Sequence, residues 1–188
     1  MAIKIFIDQG HNPSNPNAGA EGNGLREQDI VFRIGILLAD LFRQNPAFEV
    51  RLSRPTLDVQ LGTSNTTSLR ERVRIANEWG ADYFLSLHTN ASSIASASGV
   101  EAFAFSEPSA AFSLGEDIVD SLSAATGLKN RGMKTRSGLY VLRKTQMPAV
   151  LIELGFITNP SDARLMVEQP ELFARGVYDG TLKYLNLN

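Results

Sequence analysis

The chain alternates short apolar runs with stretches whose apolar residues recur every three or four positions. Ile3 to Asp8 carries isoleucine at alternate positions with Phe6 on the other face, which predicts a short strand. From about Glu27 to Phe42, the residues Ile30, Ile34, Leu37, Leu38 and Leu41 keep helical spacing. Phe48 to Leu52 predicts a second strand. Leu69, Val73 and Ala76 mark a helix running to Gly80, which sits where a C-terminal glycine cap belongs. Asp82 to His88 and Val100 to Phe105 predict two further strands, and Leu114, Ile118, Leu122 and Ala125 the helix after them. Gly138 to Leu142 reads as a short strand and Ala149 to Leu154 as a strong one. Asn159-Pro160 fits an N-cap with proline at the first helical position, and Phe173, Val177 and Tyr184 space a closing helix. Residues 12 to 24, with two Pro, three Gly and four Asn, and the polar residues 56 to 67 read as loops.

This alternation predicts an α/β fold, with a central sheet, mostly parallel or mixed, flanked by helices on both faces. At 188 residues, with no internal repeat and no long linker, the chain reads as one domain over 1 to 188. A 43% hydrophobic and 20% charged composition is that of a folded chain rather than a disordered one. The net charge of −2 gives no electrostatic reason to expect nucleic acid or an anionic membrane as partner. No stretch approaches the roughly 18 apolar residues of a membrane helix. The opening MAIKIFID lacks the basic lead, long apolar run and cleavage site of a secretory signal. With no cysteine, disulfides and thiolate ligands are excluded, so a metal would need His, Asp or Glu.

Both histidines of the chain, His11 and His88, lie at the ends of predicted buried strands, where ligands gather in open α/β sheets. Each could instead do no more than hydrogen-bond its own loop. Glu153 stands inside AVLIELGF, where an ionised carboxylate is costly unless it is paired, metal-bound or open to a cavity. A frayed strand end or an arginine partner would also explain it. Glu27, in GLREQDI, is accounted for by the helix dipole alone, but it lies sixteen positions after His11, enough to bring it back over the strand end. Two imidazoles and one carboxylate make the His₂Glu set of catalytic zinc, with a second carboxylate free for acid–base work. Glu153 suits that role, because a half-buried apolar site raises a carboxyl pKa. No HExxH helix is present.

The segments IDQGHN, LREQD, RVRIANEWGADYFLSLHTNAS, GVEAFAF, RGMK and LYVLRKTQMPAVLIELGFITNPSD follow one another along nearly the whole chain. In that order they resemble the type-3 family of zinc-dependent N-acetylmuramoyl-L-alanine amidases. IDQGHN is similar to the family's IDxGHG opening, and LREQD to its segment at the start of the first helix. The resemblance implies one zinc ion on His11, Glu27 and His88, with Glu153 as catalytic glutamate. It also implies hydrolysis of the amide between the lactyl group of N-acetylmuramic acid and L-alanine of the stem peptide. Such an enzyme would be a monomeric autolysin acting on peptidoglycan muropeptides outside the cell. Asn90 and Glu101 stand as groups that brace the site or meet substrate, unless Asn90 caps its loop and Glu101 faces solvent. Two rival readings are a zinc peptidase cutting within the stem and a wall-binding module without catalysis. Asn12 stands where the family often has glycine, the residue freest to take φ > 0, with asparagine the next most tolerant.

Overall fold

The computed structural model describes residues 2–187. Strand β1 (Ile3–Gln9) leads through a small hairpin, β2 (Glu21–Gly22) and β3 (Leu25–Arg26), into α1 (Glu27–Arg43). There follow β4 (Phe48–Leu52), α2 (Asn65–Trp79), β5 (Tyr83–Asn90), β6 (Val100–Ala104) and α3 (Ala110–Thr126). The chain closes with β7 (Asn130–Thr135), α4 (Tyr140–Lys144), β8 (Ala149–Phe156), α5 (Pro160–Glu168) and α6 (Pro170–Leu185). Six strands form one sheet in the order β4-β1-β5-β8-β6-β7. The first four are mutually parallel, β6 runs antiparallel to β8, and β7 lies parallel to β6. The α/β fold with a mixed sheet and helices on both faces therefore holds.

Successive side chains of a strand point to opposite faces, so each central strand feeds two cores. Ile5, Ile7, Leu85, Leu87, Val150 and Ile152 pack with residues of α1, α3 and α6. Phe6, Phe84, Phe103 and Leu151 pack on the other side with Val73 and Ala76 of α2 and with Val141 and Leu142 of α4. Burial on both faces is why these strands read as continuous apolar runs. The predicted helix ends form as their residues suggest. Gly80 caps α2 with φ 66, and the Asn159 side chain accepts from the Ser161 and Asp162 amides ahead of α5.

Several local expectations are corrected. Gly138 to Leu142 is not a strand: from Tyr140 the segment winds into α4, because Val141 and Leu142 both turn into the second core. A short apolar run fits either period, and the packing decides. The loop predicted over 56 to 67 ends at Ser64, whose side chain accepts from the Thr67 amide and starts α2. The loop predicted over 12 to 24 contains β2, paired with β3. Strand β7 has no mark in the sequence pattern, since NRGMKT lacks β-branched residues apart from its last threonine; it is an edge strand guarded by basic side chains. The closing helical region breaks between α5 and α6 at Gln169, where Pro170 begins the second helix.

The parallel strands β1, β5 and β8 all end at one edge of the sheet, and antiparallel β6 begins there. No helix among the described residues is long and apolar enough to cross a membrane.

Candidate metal centre

The four residues singled out from the sequence meet at that edge. His11 follows β1 and His88 lies near the end of β5. Glu27 is the first residue of α1, and the segment after His11 folds back to carry it between the two imidazoles. Glu27 Oε1 lies 3.2 Å from His11 Nε2 and 3.1 Å from His88 Nδ1, and accepts from the Thr89 amide at 2.9 Å. Its Oε2 accepts from the Ala20 amide at 2.9 Å. Burial pushes the Glu27 carboxyl up, but the bonds from His11 and His88 outweigh it and hold the group well below the usual carboxylate range. The helix N-terminus favours the same ionised form.

The two imidazole rings stand edge to face, 4.9 Å apart. One donor atom from each of His11, Glu27 and His88 can be chosen so that all lie within 4.8 Å of one another. This N, N, O set is that of a catalytic zinc site with a position left for water or substrate. His11 Nδ1 is buried without a hydrogen-bond partner among the described residues. A buried nitrogen without a partner, on a ring that meets Glu27 and His88, fits a donor set able to bind a metal.

Two glycines let the backbone approach this closely. A Cβ on Gly10 would fall 2.5 Å from His88 Cε1 and 2.7 Å from the Leu87 carbonyl. One on Gly19 would fall 2.9 Å from Glu27 Oε2 and 3.0 Å from His11 Cδ2. Gly10→Ala is accordingly expected to displace the His88 ring and to destabilise the fold by about 1–3 kcal/mol. Thermal melts of the parent and the variant check this, and an unchanged Tm would contradict it.

Glu153 sits opposite His88 in the β5–β8 register and opposite Glu101 in the β6–β8 register. Among the described residues it has no arginine partner, and its Oε2 is buried without a hydrogen bond. Burial pushes its carboxyl up to about 8; the charges of Glu27 and Glu101 add to the rise, and Arg136 opposes it. Three neighbouring carboxylates cannot all stay ionised at no cost, and Glu153 is the one whose buried oxygen has no hydrogen-bond donor among the described residues.

Glu101 does not face solvent. It is buried, accepts from Asn90 Nδ2 at 2.6 Å and from Arg131 Nε at 3.2 Å, and is paired with Lys134. Burial raises its pKa, and the bonds from Lys134 and Arg131 bring it back below the ordinary value. Asn90 holds its own loop as well, since its Oδ1 accepts from the Ala91 amide at 3.0 Å. A cleft of about 110 Å³ adjoins the site, walled by His11, His88 and Asn17 on one side and by Leu139, Tyr140 and Val141 on the other. A larger groove of about 490 Å³ between α1 and α6 is lined by none of these groups.

A family model described as N-acetylmuramoyl-L-alanine amidase, Amidase_3, matches residues 5–183. The chain belongs to this amidase family. Its members are hydrolases of a carbon–nitrogen bond. Among relatives of this amidase chain, the N-acetylmuramoyl-L-alanine amidase CwlM of Bacillus licheniformis is 35% identical over 190 residues, spanning 99% of this chain and 70% of that protein. The amidase LytC of Bacillus subtilis is 37% identical over 186 residues, which cover 96% of this chain but 35% of LytC. The catalytic domain of CwlV from Bacillus (Paenibacillus) polymyxa superposes with a TM-score of 0.86 at 27% identity, covering 99% of both chains.

Some contributors to the amidase site carry no signal in the linear pattern. The amides of Ala20 and Thr89 fix the Glu27 carboxylate, and any residue type but proline could supply them. Asn12 does not take positive φ; the left-handed residue at this point of the loop is His11, with φ 66.

Proposed function

We propose that the chain is a single catalytic domain over residues 1–188 that hydrolyses the amide between the lactyl group of N-acetylmuramic acid and L-alanine of the peptidoglycan stem. The observation that carries this reading is the meeting of His11, Glu27 and His88 beside Glu153, a partly buried carboxyl whose Oε2 has no hydrogen-bond partner among the described residues. His11, Glu27 and His88 would hold one zinc ion. Zinc there supplies Lewis acidity, making water a stronger nucleophile at neutral pH and polarising a carbonyl.

Glu153 Oε2 takes a proton from the attacking water as its hydroxyl adds to the lactyl carbonyl carbon. The same carboxyl then gives that proton to the alanine nitrogen as the carbon–nitrogen bond breaks. The products are a lactyl carboxylic acid and a stem peptide with a free L-alanine amine. A carboxyl raised toward neutrality suits both halves of this transfer. Glu101 and Asn90 brace the floor beside Glu153, and the Leu139 to Val141 wall flanks the substrate. The domain works as a monomer on the cell wall, outside the cytoplasmic membrane.

Digestion of purified peptidoglycan tests this. New amino-terminal L-alanine is expected, with no new reducing sugar. A different new amine would mean cleavage within the stem, and wall binding with no new amine would mean a binding module.

A further inference from the structure

Asn12 is where the IDxGHG pattern and this chain part, and its side chain is 0% exposed. Its Nδ2 donates to the Pro16 carbonyl at 2.8 Å and to the Leu61 carbonyl at 2.9 Å. Its Oδ1 accepts from the Leu61 amide at 3.1 Å and from Arg72 Nη2 at 3.3 Å. The Asn12 amide in turn donates to the Asn17 carbonyl at 2.8 Å. One side chain thus ties the loop after His11 to the segment before α2, and ties both to α2 itself. Glycine at this position would make none of the side-chain bonds.

The same network reaches the His11 peptide. Arg72 is anchored on β1, donating to Asp8 Oδ1 and to the Gln9 carbonyl, each at 2.6 Å. From that anchorage it also donates to the His11 carbonyl, which accepts a second bond from Arg54 Nη1 at 3.3 Å. His11 meanwhile occupies the left-handed region, which a residue with a side chain keeps only where its surroundings over-determine it.

We infer that Asn12 is a positioning residue for His11. It closes the loop on one side of the His11 peptide while Arg72 and Arg54 hold the carbonyl on the other. The left-handed turn is therefore set, and the imidazole aimed, before a metal arrives. Groups that orient ligands in this way change metal affinity by about 10–100-fold when lost. The inference rests on His11 being a metal ligand, as proposed above.

The test is zinc affinity of the full chain, measured by competition with a chromophoric chelator. Asn12→Ala is expected to weaken zinc binding about tenfold while the metal-free protein still melts cooperatively. Amide hydrogen exchange should quicken over residues 12–20 and 56–64. Ser68→Ala is a milder cut in the same network, since Ser68 Oγ accepts from Asn17 Nδ2 at 2.9 Å. It should weaken zinc binding in the same direction but by less than Asn12→Ala, and it carries the test if Asn12→Ala does not fold. Affinity within about twofold of the parent in every folded variant overturns the inference, because outright loss of a group that orients a ligand changes affinity by about 10–100-fold. Failure of the metal site itself looks different: the parent chain would bind no zinc, or His88→Ala would bind it equally well, and the inference would fall with it.

Discussion

Glu153→Gln is expected to abolish peptidoglycan hydrolysis and, at the same time, to make the metal-free protein more stable at pH 8. The loss of rate should be on the order of 10²–10⁴, the usual contribution of a positioned acid–base group. The amide keeps the shape of the side chain but cannot carry the proton from water to the alanine nitrogen. The gain in stability comes from the same burial that makes the residue useful. In the folded chain Glu153 is pushed up to about 8, against an ordinary value of 4.5. A group whose folded pKa is raised gives stability that is complete below its unfolded pKa and is lost as pH rises through the folded one. The parent chain should therefore lose stability between about pH 4.5 and 8 through this group, and the glutamine variant should not. Urea unfolding of both metal-free proteins at pH 5 and pH 8 measures the difference. It should grow by roughly 2–3 kcal/mol at the higher pH, since solvent reaching the cleft trims the full linkage energy. Equal differences at the two pH values would remove the argument that Glu153 is held uncharged by its surroundings. Retained hydrolysis would remove it from the reaction.

His88→Ala should cost the zinc. The parent chain is expected to carry one ion, and the variant none after gel filtration, by elemental analysis. Two donors remain in the variant, and Glu27 loses one of the two ring nitrogens that hold its charge. With zinc at a thousandfold its Kd, the parent should gain about 4 kcal/mol of stability by mass action. For a chain of this size that is a rise in Tm of roughly 8–16 °C. The variant should show little of this rise, and a chelator should erase it from the parent together with hydrolysis. Activity that survives both His88→Ala and chelation would exclude the metal reading. Comparing the Tm without zinc separates lost ligation from a damaged fold.

Glu153 stands out in the linear pattern because a carboxylate among AVLIELGF has few inexpensive explanations, and the structure leaves it unpaired as that cost suggests. Glu27 does not stand out in the same way. A glutamate at a helix start is ordinary, and only the family resemblance or the returning loop marks it. Glu101 shows the reverse case: in GVEAFAF it passes for a solvent-facing residue of a strand. It is buried because β6 runs antiparallel to β8 and brings its first residues against the end of β8, beside two basic side chains of β7. Strand direction within a sheet is a long-range choice that no local window contains.

Spacing, turn chemistry and residue type suffice to set most of the periodic elements and the caps at Gly80 and Asn159. They also suffice to exclude thiol ligands and to place both histidines at strand ends. All of these are local properties of the chain. Packing in three dimensions settles the rest: Gly138 to Leu142 gives way to α4 rather than a strand, Glu101 is buried, and His11, not Asn12, takes the left-handed turn. Each of those depends on partners distant in the chain: Leu61 and Arg72 for the loop of Asn12, β8 for Glu101, and the second core for α4. A buried polar group or a short apolar run has several acceptable local conformations. The partner that satisfies its hydrogen bonds or covers its surface selects one of them.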